Sequence, residues 1–330
     1  MLRIGLLAAS RIAESAVVEP AAHVEGVEVV AVAARDLDRA RQAARRWGID
    51  RAIGSYDELI ESPDVDAIYV ATPASLHREW AIRSIEAGKH VLCEKPLAAN
   101  ADDARRIADA AAGADVVVME AYHWRHHPMA AQIGDVIGSG VLGRLDRVEA
   151  AFDIPVGRIG RDDIRWDLSL GGGSTMDLGC YSIQWARFAA GADPQVVSAT
   201  ATCPVEGVDG ALTAELRWPS GVTGTVRSSM IAEAADVVAF LRVVGERGTM
   251  LASNPLAPQH GASISVDVEG ETTTHEVSDS VTYVHQLVAF RDAVTAGAGF
   301  ATTAADGVRT MEIVDACYRA AGLDPRPAVD

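Results

Sequence analysis

Lysine is nearly absent from this sequence. Of its 29 basic residues 27 are arginine, and the two lysines, Lys89 and Lys95, lie within seven residues of each other in GKHVLCEKPLA (88–98). Arginine evidently serves wherever a positive charge suffices, so a position that keeps lysine asks for something arginine lacks. Positive charge is scarce overall: the formal net charge is −17, which sets the chain against nucleic-acid and anionic-membrane partners. The four cysteines (Cys93, Cys180, Cys203, Cys317) are scattered, with no CxxC pair. That fits a reducing compartment better than a disulfide framework, so we expect a cytoplasmic protein. No apolar run is long enough to span a membrane. The opening MLRIGLLAASRIAESA is too short in its apolar part, and too interrupted by Arg11 and Glu14, to read as a secretion signal; it reads as a first strand.

What is present is the composition of a globular protein with a well-stocked core, 49% hydrophobic and 23% charged over 330 residues, enough for about two domains. Through residue 123 short β-branched runs alternate with helical stretches. Strands are expected at 3–9, 27–34, 65–72, 90–95 and 115–121, and helices at 36–48, 75–88 and 100–113, ending in glycine as helix C-termini often do. Nearly continuous apolar strands between helices predict a doubly wound parallel α/β sheet covered on both faces. From residue 124 the texture changes. A helix over 127–139 and a strand over 144–153 precede a GGGS loop (171–174) that opens a helix to about 189. Strand then follows strand from 195 to 278, with hairpin signals at Pro219-Ser220-Gly221 and Glu269-Gly270. Helices near 283–296 and 304–320 close the chain. The expectation is an α+β second domain over 124–330 on one antiparallel sheet, its last helices free to pack back on the first domain, residues 1–123.

The first strand-to-helix turn is a candidate dinucleotide site, but a glycine-poor one. It reads GLLAASRIA (5–13): beyond Gly5, the fingerprint glycines are replaced by Ala8, Ser10 and Ala13. All three are small enough for backbone amides to approach a pyrophosphate; the Ser10 hydroxyl adds a donor, Arg11 a charge, and Ile12 follows in the same turn. The end of the second strand reads AVAARDLDRA (31–40). Ala34 occupies the position where an acid would bind a ribose 2′-hydroxyl, and Arg35 and Arg39 follow, which favours NADP over NAD. Asp36 keeps the alternative open, as the ribose ligand after a one-residue slip or as the cap of the next helix.

ATPASLH (71–77), AGKHVLCEKPLA (87–98), MEAYHWRHHP (119–128) and GGGSTMDLGCY (171–181) together resemble the glucose–fructose oxidoreductase/inositol dehydrogenase (Gfo/Idh/MocA) family over essentially the whole chain. Within it the likeness is to the dimeric dihydrodiol dehydrogenases and NADP-dependent D-xylose dehydrogenases. The resemblance implies a Rossmann domain followed by a domain on a large, open-faced, mostly antiparallel sheet that forms the subunit interface of a homodimer or homotetramer. It implies a catalytic Lys95 within Glu94-Lys95-Pro96, with a cis bond possible before the proline. It also implies Asp177 and Tyr181 as acid and proton donor/acceptor, and Thr72, Pro73 and His77 beside the nicotinamide and its ribose. The glycine-poor turn departs from the family pattern.

Removing a hydride from an alcohol carbon requires removing the hydroxyl proton. A tyrosine can accept it if a nearby cation brings its pKa down. Lysine, a compact three-donor charge whose own pKa can fall, suits that position better than planar arginine, which accounts for Lys95. Lys89 reads only as a solvated charge near a helix C-terminus. Asp177 and Tyr181, four apart, share a helix face. Asp177 would position a substrate hydroxyl or hold Lys95 as an ammonium; otherwise it serves the helix start and Tyr181 is a core residue. HWRHHP (123–128) has no carboxylate or cysteine at ligand spacing, so no metal is expected. Tyr122, His123, Arg125, Arg165, Trp166 and Asp167 form a polar and aromatic set suited to a sugar, polyol or diol. The leading expectation is an NADP-dependent oxidoreductase on such a substrate. The alternatives are an NAD-linked inositol or deoxysugar dehydrogenase and a non-catalytic dinucleotide-binding regulator.

Overall fold

The computed structural model describes residues 1–328. In chain order, β1 (Leu2–Leu7) leads into α1 (Arg11–Ala13), a π-helical turn over Glu14–Val18 and α2 (Glu19–Ala21). Then come β2 (Val27–Ala33), α3 (Leu37–Trp47), β3 (Arg51–Ile53), α4 (Tyr56–Glu61), β4 (Ala67–Val70), α5 (His77–Glu86), β5 (His90–Cys93), α6 (Ala101–Ala112) and β6 (Val118–Glu120). The next stretch holds α7 (Pro128–Gly138), β7 (Leu145–Pro155) and a second π-helical turn, Thr175–Gly179, continuous with α8 (Cys180–Ala190). Seven strands follow: β8 (Gln195–Thr202), β9 (Ala211–Arg217), β10 (Thr223–Ala232), β11 (Val238–Gly245), β12 (Gly248–Ser253), β13 (Ser263–Val268) and β14 (Glu271–His275). The helices α9 (Thr282–Ala296) and α10 (Ala304–Ala320) end the series.

Two compact units result. One comprises residues 1–126 and 283–308, the other 127–282 and 309 onward. The first holds a six-stranded parallel sheet in the order β3-β2-β1-β4-β5-β6. This is the order of the two-halved dinucleotide fold, with its switch point between β1 and β4. Leu2, Ile4 and Leu6 of β1 pack with Val17, Val32, Tyr69, Leu92 and Met119, and with Leu287 and Phe290 of α9. Gly5 lies inside β1, where an added Cβ would meet Leu59 Cδ1 at 2.9 Å. The glycine there lets α4 approach the strand.

The second unit is built on an eight-stranded sheet, β14-β13-β12-β11-β7-β10-β9-β8. It is the large, mostly antiparallel sheet expected, antiparallel throughout except for the central parallel pair of β7 and β10. The parallel pair arises because β8 and β9 extend one side of β10 while β7, from earlier in the chain, closes the other. Both predicted hairpin turns form. Glu269 (φ +56°) and Gly270 (φ +87°) both take positive φ, as a tight two-residue turn matched to strand twist requires. α8 lies against β7, β10 and β11. Here Tyr181 and Trp185 meet Phe152 of β7 with ring centroids about 6 Å apart.

Candidate active site

In the first unit the loops leaving β1, β2, β4, β5 and β6 all emerge at the carboxyl end of the parallel sheet, where open α/β sheets bind their ligands. The turn after β1 places Ser10 as the N-cap of α1, in extended conformation, with no capping bond from its side chain. Ser10 Oγ is buried and meets no partner among the described residues, as are Thr72 Oγ1 and Ser75 Oγ beyond β4. Buried hydroxyls are normally hydrogen-bonded, and three unmet ones around one sheet end are what a polar ligand would satisfy. Ala8 holds φ at +100°, a conformation made for glycine, while its N–H donates to Ala33 O at 3.2 Å. Arg11 and Ile12 point outward on the same turn.

After β2, Ala34 is buried and donates its N–H to Ile53 O at 3.1 Å. Asp36 is the N-cap of α3, its carboxylate accepting from Asp38 N–H at 2.8 Å. Of the two roles open to Asp36, the structure realises the cap. Arg35 and Arg39 are exposed, and Arg39 reaches back to Ala9 O in the first turn at 3.4 Å. Sequence reasoning missed Tyr56 at the start of α4, whose phenol feels both arginines; burial raises its pKa and their charges pull it down.

Beyond β4, His77 is buried with both ring nitrogens against carbonyl oxygens, Thr72 O at 2.8 Å and Pro96 O at 3.0 Å. It thereby ties the Thr72-Pro73 loop to the loop that carries Lys95. Burial pushes its pKa below the ordinary value; the two carbonyls oppose that shift and the Lys95 charge reinforces it. The Lys95-Pro96 bond is cis. Glu94 is buried and accepts from Tyr69 OH at 2.6 Å, and Lys95 N–H faces its other oxygen at 3.3 Å. Lys95 itself is half-buried. Lys89 is not the solvated charge expected: its ammonium donates to Ser62 O at 2.8 Å and Val65 O at 2.7 Å, stapling the turn after α4.

Past β6, Tyr122 is fully buried and His123 stacks on Tyr283 at 4.1 Å. Arg125 is half-buried; burial lowers its pKa and Asp306 raises it. His126 faces Thr302 Oγ1 at 3.2 Å, and His127 caps α7 through Met129 N–H. The three histidines of HWRHHP thus serve separate neighbours. Among the described residues no group of His, Cys, Asp or Glu is arranged to hold a metal ion.

In the second unit the structure brings together Asp177 and Arg165. Arg165 Nε donates to Asp177 Oδ2 at 2.5 Å and Nη1 to Asp163 Oδ1 at 3.0 Å. The guanidinium pKa is raised, first by the Asp177 charge. Asp177 sits in the π-helical turn and Tyr181 in the first turn of α8, where Tyr181 is almost fully buried. Trp166 is half-buried. Asp167 is exposed, and its carboxylate accepts from Ser169 N–H at 2.9 Å and Ser169 Oγ at 2.6 Å, so it caps its own 3-10 turn.

The strand order, the unmet hydroxyls at the sheet end and the arginines after β2 together have the makings of a dinucleotide-binding protein. The comparisons agree. Residues 2–122 match the model of an oxidoreductase family with an NAD-binding Rossmann fold, and residues 130–251 match the GFO/IDH/MocA C-terminal domain. The chain belongs to the Gfo/Idh/MocA oxidoreductase family. It is 33% identical to the D-xylose 1-dehydrogenase (NADP(+)) 2 of Haloferax volcanii over 97% of both chains. It is 36% identical to the trans-1,2-dihydrobenzene-1,2-diol dehydrogenase of Bos taurus over 67% of this chain and 64% of that one. Among solved structures it resembles KijD10, a 3-ketoreductase from Actinomadura kijaniata in complex with NADP and TDP-benzene. There the TM-score is 0.87 at 29% identity, over 97% of each chain.

Proposed function

We propose that this protein is an NADP-dependent oxidoreductase that moves a hydride between nicotinamide and a hydroxyl-bearing carbon of a sugar, polyol or cyclic diol. The observation that carries the reading is the end of β2. Ala34 stands where an acid would select NAD, Asp36 is committed to its helix cap, and Arg35 and Arg39 remain exposed for a 2′-phosphate. Ser10, Thr72 and Ser75 would hold the rest of the dinucleotide through their unmet hydroxyls, with Arg11 as a charge on the first turn. The D-xylose and dihydrodiol dehydrogenase relatives, and the KijD10 complex with NADP, support the substrate class and the cofactor.

Bound there, the nicotinamide supplies the hydride acceptor. The chain's own part is proton handling. In the roles we assign, Tyr181 as its phenolate takes the hydroxyl proton, Lys95 supplies a charge able to exchange a proton, and Asp177, held by Arg165, orients the substrate hydroxyl. Tyr122, His123, Arg125 and Trp166 are the further substrate contacts we propose. The free cysteines support a cytoplasmic setting. A homodimer through the second sheet completes the reading. One face of that sheet carries the ion pairs of half-buried Glu149 with Arg147 and with exposed Arg242, a surface suited to polar pairing between copies.

Titration with NADPH and NADH, followed by tryptophan quenching, tests the cofactor. NADPH should bind at least tenfold tighter, and Arg35→Ala should erase most of that gap, a change of about 1.4 kcal/mol. Preference for NADH overturns the assignment. A panel of D-xylose, other aldoses, trans-diols and their ketones with the preferred cofactor then names the substrate.

A further inference from the structure

Asp209, on the loop before β9, and Arg326, near the C-terminus, are both fully buried and form an ion pair with each other. Neither belongs to a motif, and 117 residues separate them. A buried charge pair is tolerable only when its remaining donors and acceptors are met, and here they are. Asp209 Oδ2 accepts from Ser174 Oγ (2.8 Å), Thr175 Oγ1 (2.7 Å) and Thr175 N–H (2.8 Å), and Oδ1 accepts from Tyr318 OH (3.0 Å) and the Arg326 guanidinium. Its backbone carbonyl takes Ser174 N–H at 2.7 Å. Arg326 gives Nε to Gly172 O (2.6 Å) and Nη1 to Gly207 O (2.9 Å), and its plane lies over the Tyr318 ring at 4.0 Å.

Five of these bonds end on one loop, 172–175, and that loop holds both halves of the Arg165–Asp177 pair. Gly173 N–H donates to Arg165 O at 2.9 Å, and Gly173 O accepts from Asp177 N–H at 3.1 Å. Gly173 has φ +131°, and a Cβ on it would collide with the Asp209 carboxylate and the Arg326 guanidinium. Gly173 is therefore required by the clamp.

We propose that Asp209 and Arg326, with Tyr318, are positioning residues that act through the 172–175 loop to set Arg165, Asp177 and Tyr181 in their working geometry. The C-terminal segment is thus part of the catalytic apparatus without touching substrate. This rests on the roles proposed above for Asp177 and Tyr181. Lysine at position 326 can keep the charge but cannot reach three acceptors, so Arg326→Lys should retain part of what Arg326→Met loses. Tyr318→Phe removes a single hydroxyl and guards against a variant that fails to fold.

Hydrogen exchange read by mass spectrometry should be at least tenfold faster over residues 171–181 in Arg326→Lys and Tyr318→Phe, with exchange over residues 1–126 unchanged. On the best substrate of the panel, kcat should fall tenfold or more in Arg326→Lys and further in Arg326→Met, while the NADPH Kd stays within twofold. Unchanged exchange over 171–181, or unchanged kcat alongside a large loss in Asp177→Asn and Tyr181→Phe, overturns the clamp alone. Full turnover in Asp177→Asn and Tyr181→Phe overturns the assignment of those residues and the clamp's purpose with it.

Discussion

Lys89 and Lys95 show how the same residue type is retained for two reasons. Lys89 needs a compact head that fits between two carbonyls, those of Ser62 and Val65. Lys95 is half-buried in the loop after β5, and the role proposed for it asks for a charge able to exchange a proton. Lys95→Arg should therefore lower kcat by on the order of 10²-fold while leaving NADPH affinity within a few-fold, measured by steady-state kinetics and titration. His126 gives a separate, pH-dependent prediction. Burial, with Arg125 and His285 nearby, lowers its pKa to about 4. An unfolded histidine titrates near 6.5, so the unfolded chain binds more protons between those values, and stability falls as pH drops from 6.5 towards 4. Urea unfolding at pH 7 and pH 4.5 should differ by about 2 kcal/mol less in His126→Gln than in the parent. An equal difference in both would remove His126 from the account.

At the level of elements, the turn after β1 carries a residue poorly suited to its backbone. Ala8 at φ +100° carries a penalty of roughly 1–2 kcal/mol, partly offset by the chain entropy a glycine would lose on folding. Ala8→Gly should raise stability by about 1 kcal/mol and leave NADPH binding no weaker, read by thermal melting and titration. A fall in stability would mean that the alanine methyl contributes packing that outweighs the strain. The π-helical turn over Thr175–Gly179 was read from sequence as ordinary helix. Nothing in TMDLG distinguishes the two, because the wider turn is imposed by the loop that precedes it and by the bonds Asp209 makes to Ser174 and Thr175. The missed β3 and α4 have a related origin: three strand residues and six helical ones are too short for periodicity to register, and β3 forms where β2 offers an edge.

For the whole molecule, the first unit has an independent core that includes Leu287 and Phe290 from late in the chain. A ligand that binds the folded state alone stabilises it by about 2.7 kcal/mol at one hundred times its Kd. NADPH at that excess should raise the melting temperature by several degrees, and Arg35→Ala should abolish most of the rise at the same concentration. An undiminished rise in the variant would place the 2′-phosphate elsewhere.

The sequence by itself determined the alternation of buried strands and helices in the first 120 residues and the hairpins at Pro219-Ser220-Gly221 and Glu269-Gly270. It also carried the motif residues Lys95, Asp177 and Tyr181. These are local matters, in which side-chain period, turn chemistry and short spacing suffice. Tertiary structure decided what lies far apart in the chain: the parallel pairing of β7 with β10, Arg165 as the partner of Asp177, Asp167 as a cap, and the burial of Asp209 against Arg326. Each of these depends on which charge or strand edge has been taken out of water beside which other. That free energy is defined only once the chain has closed.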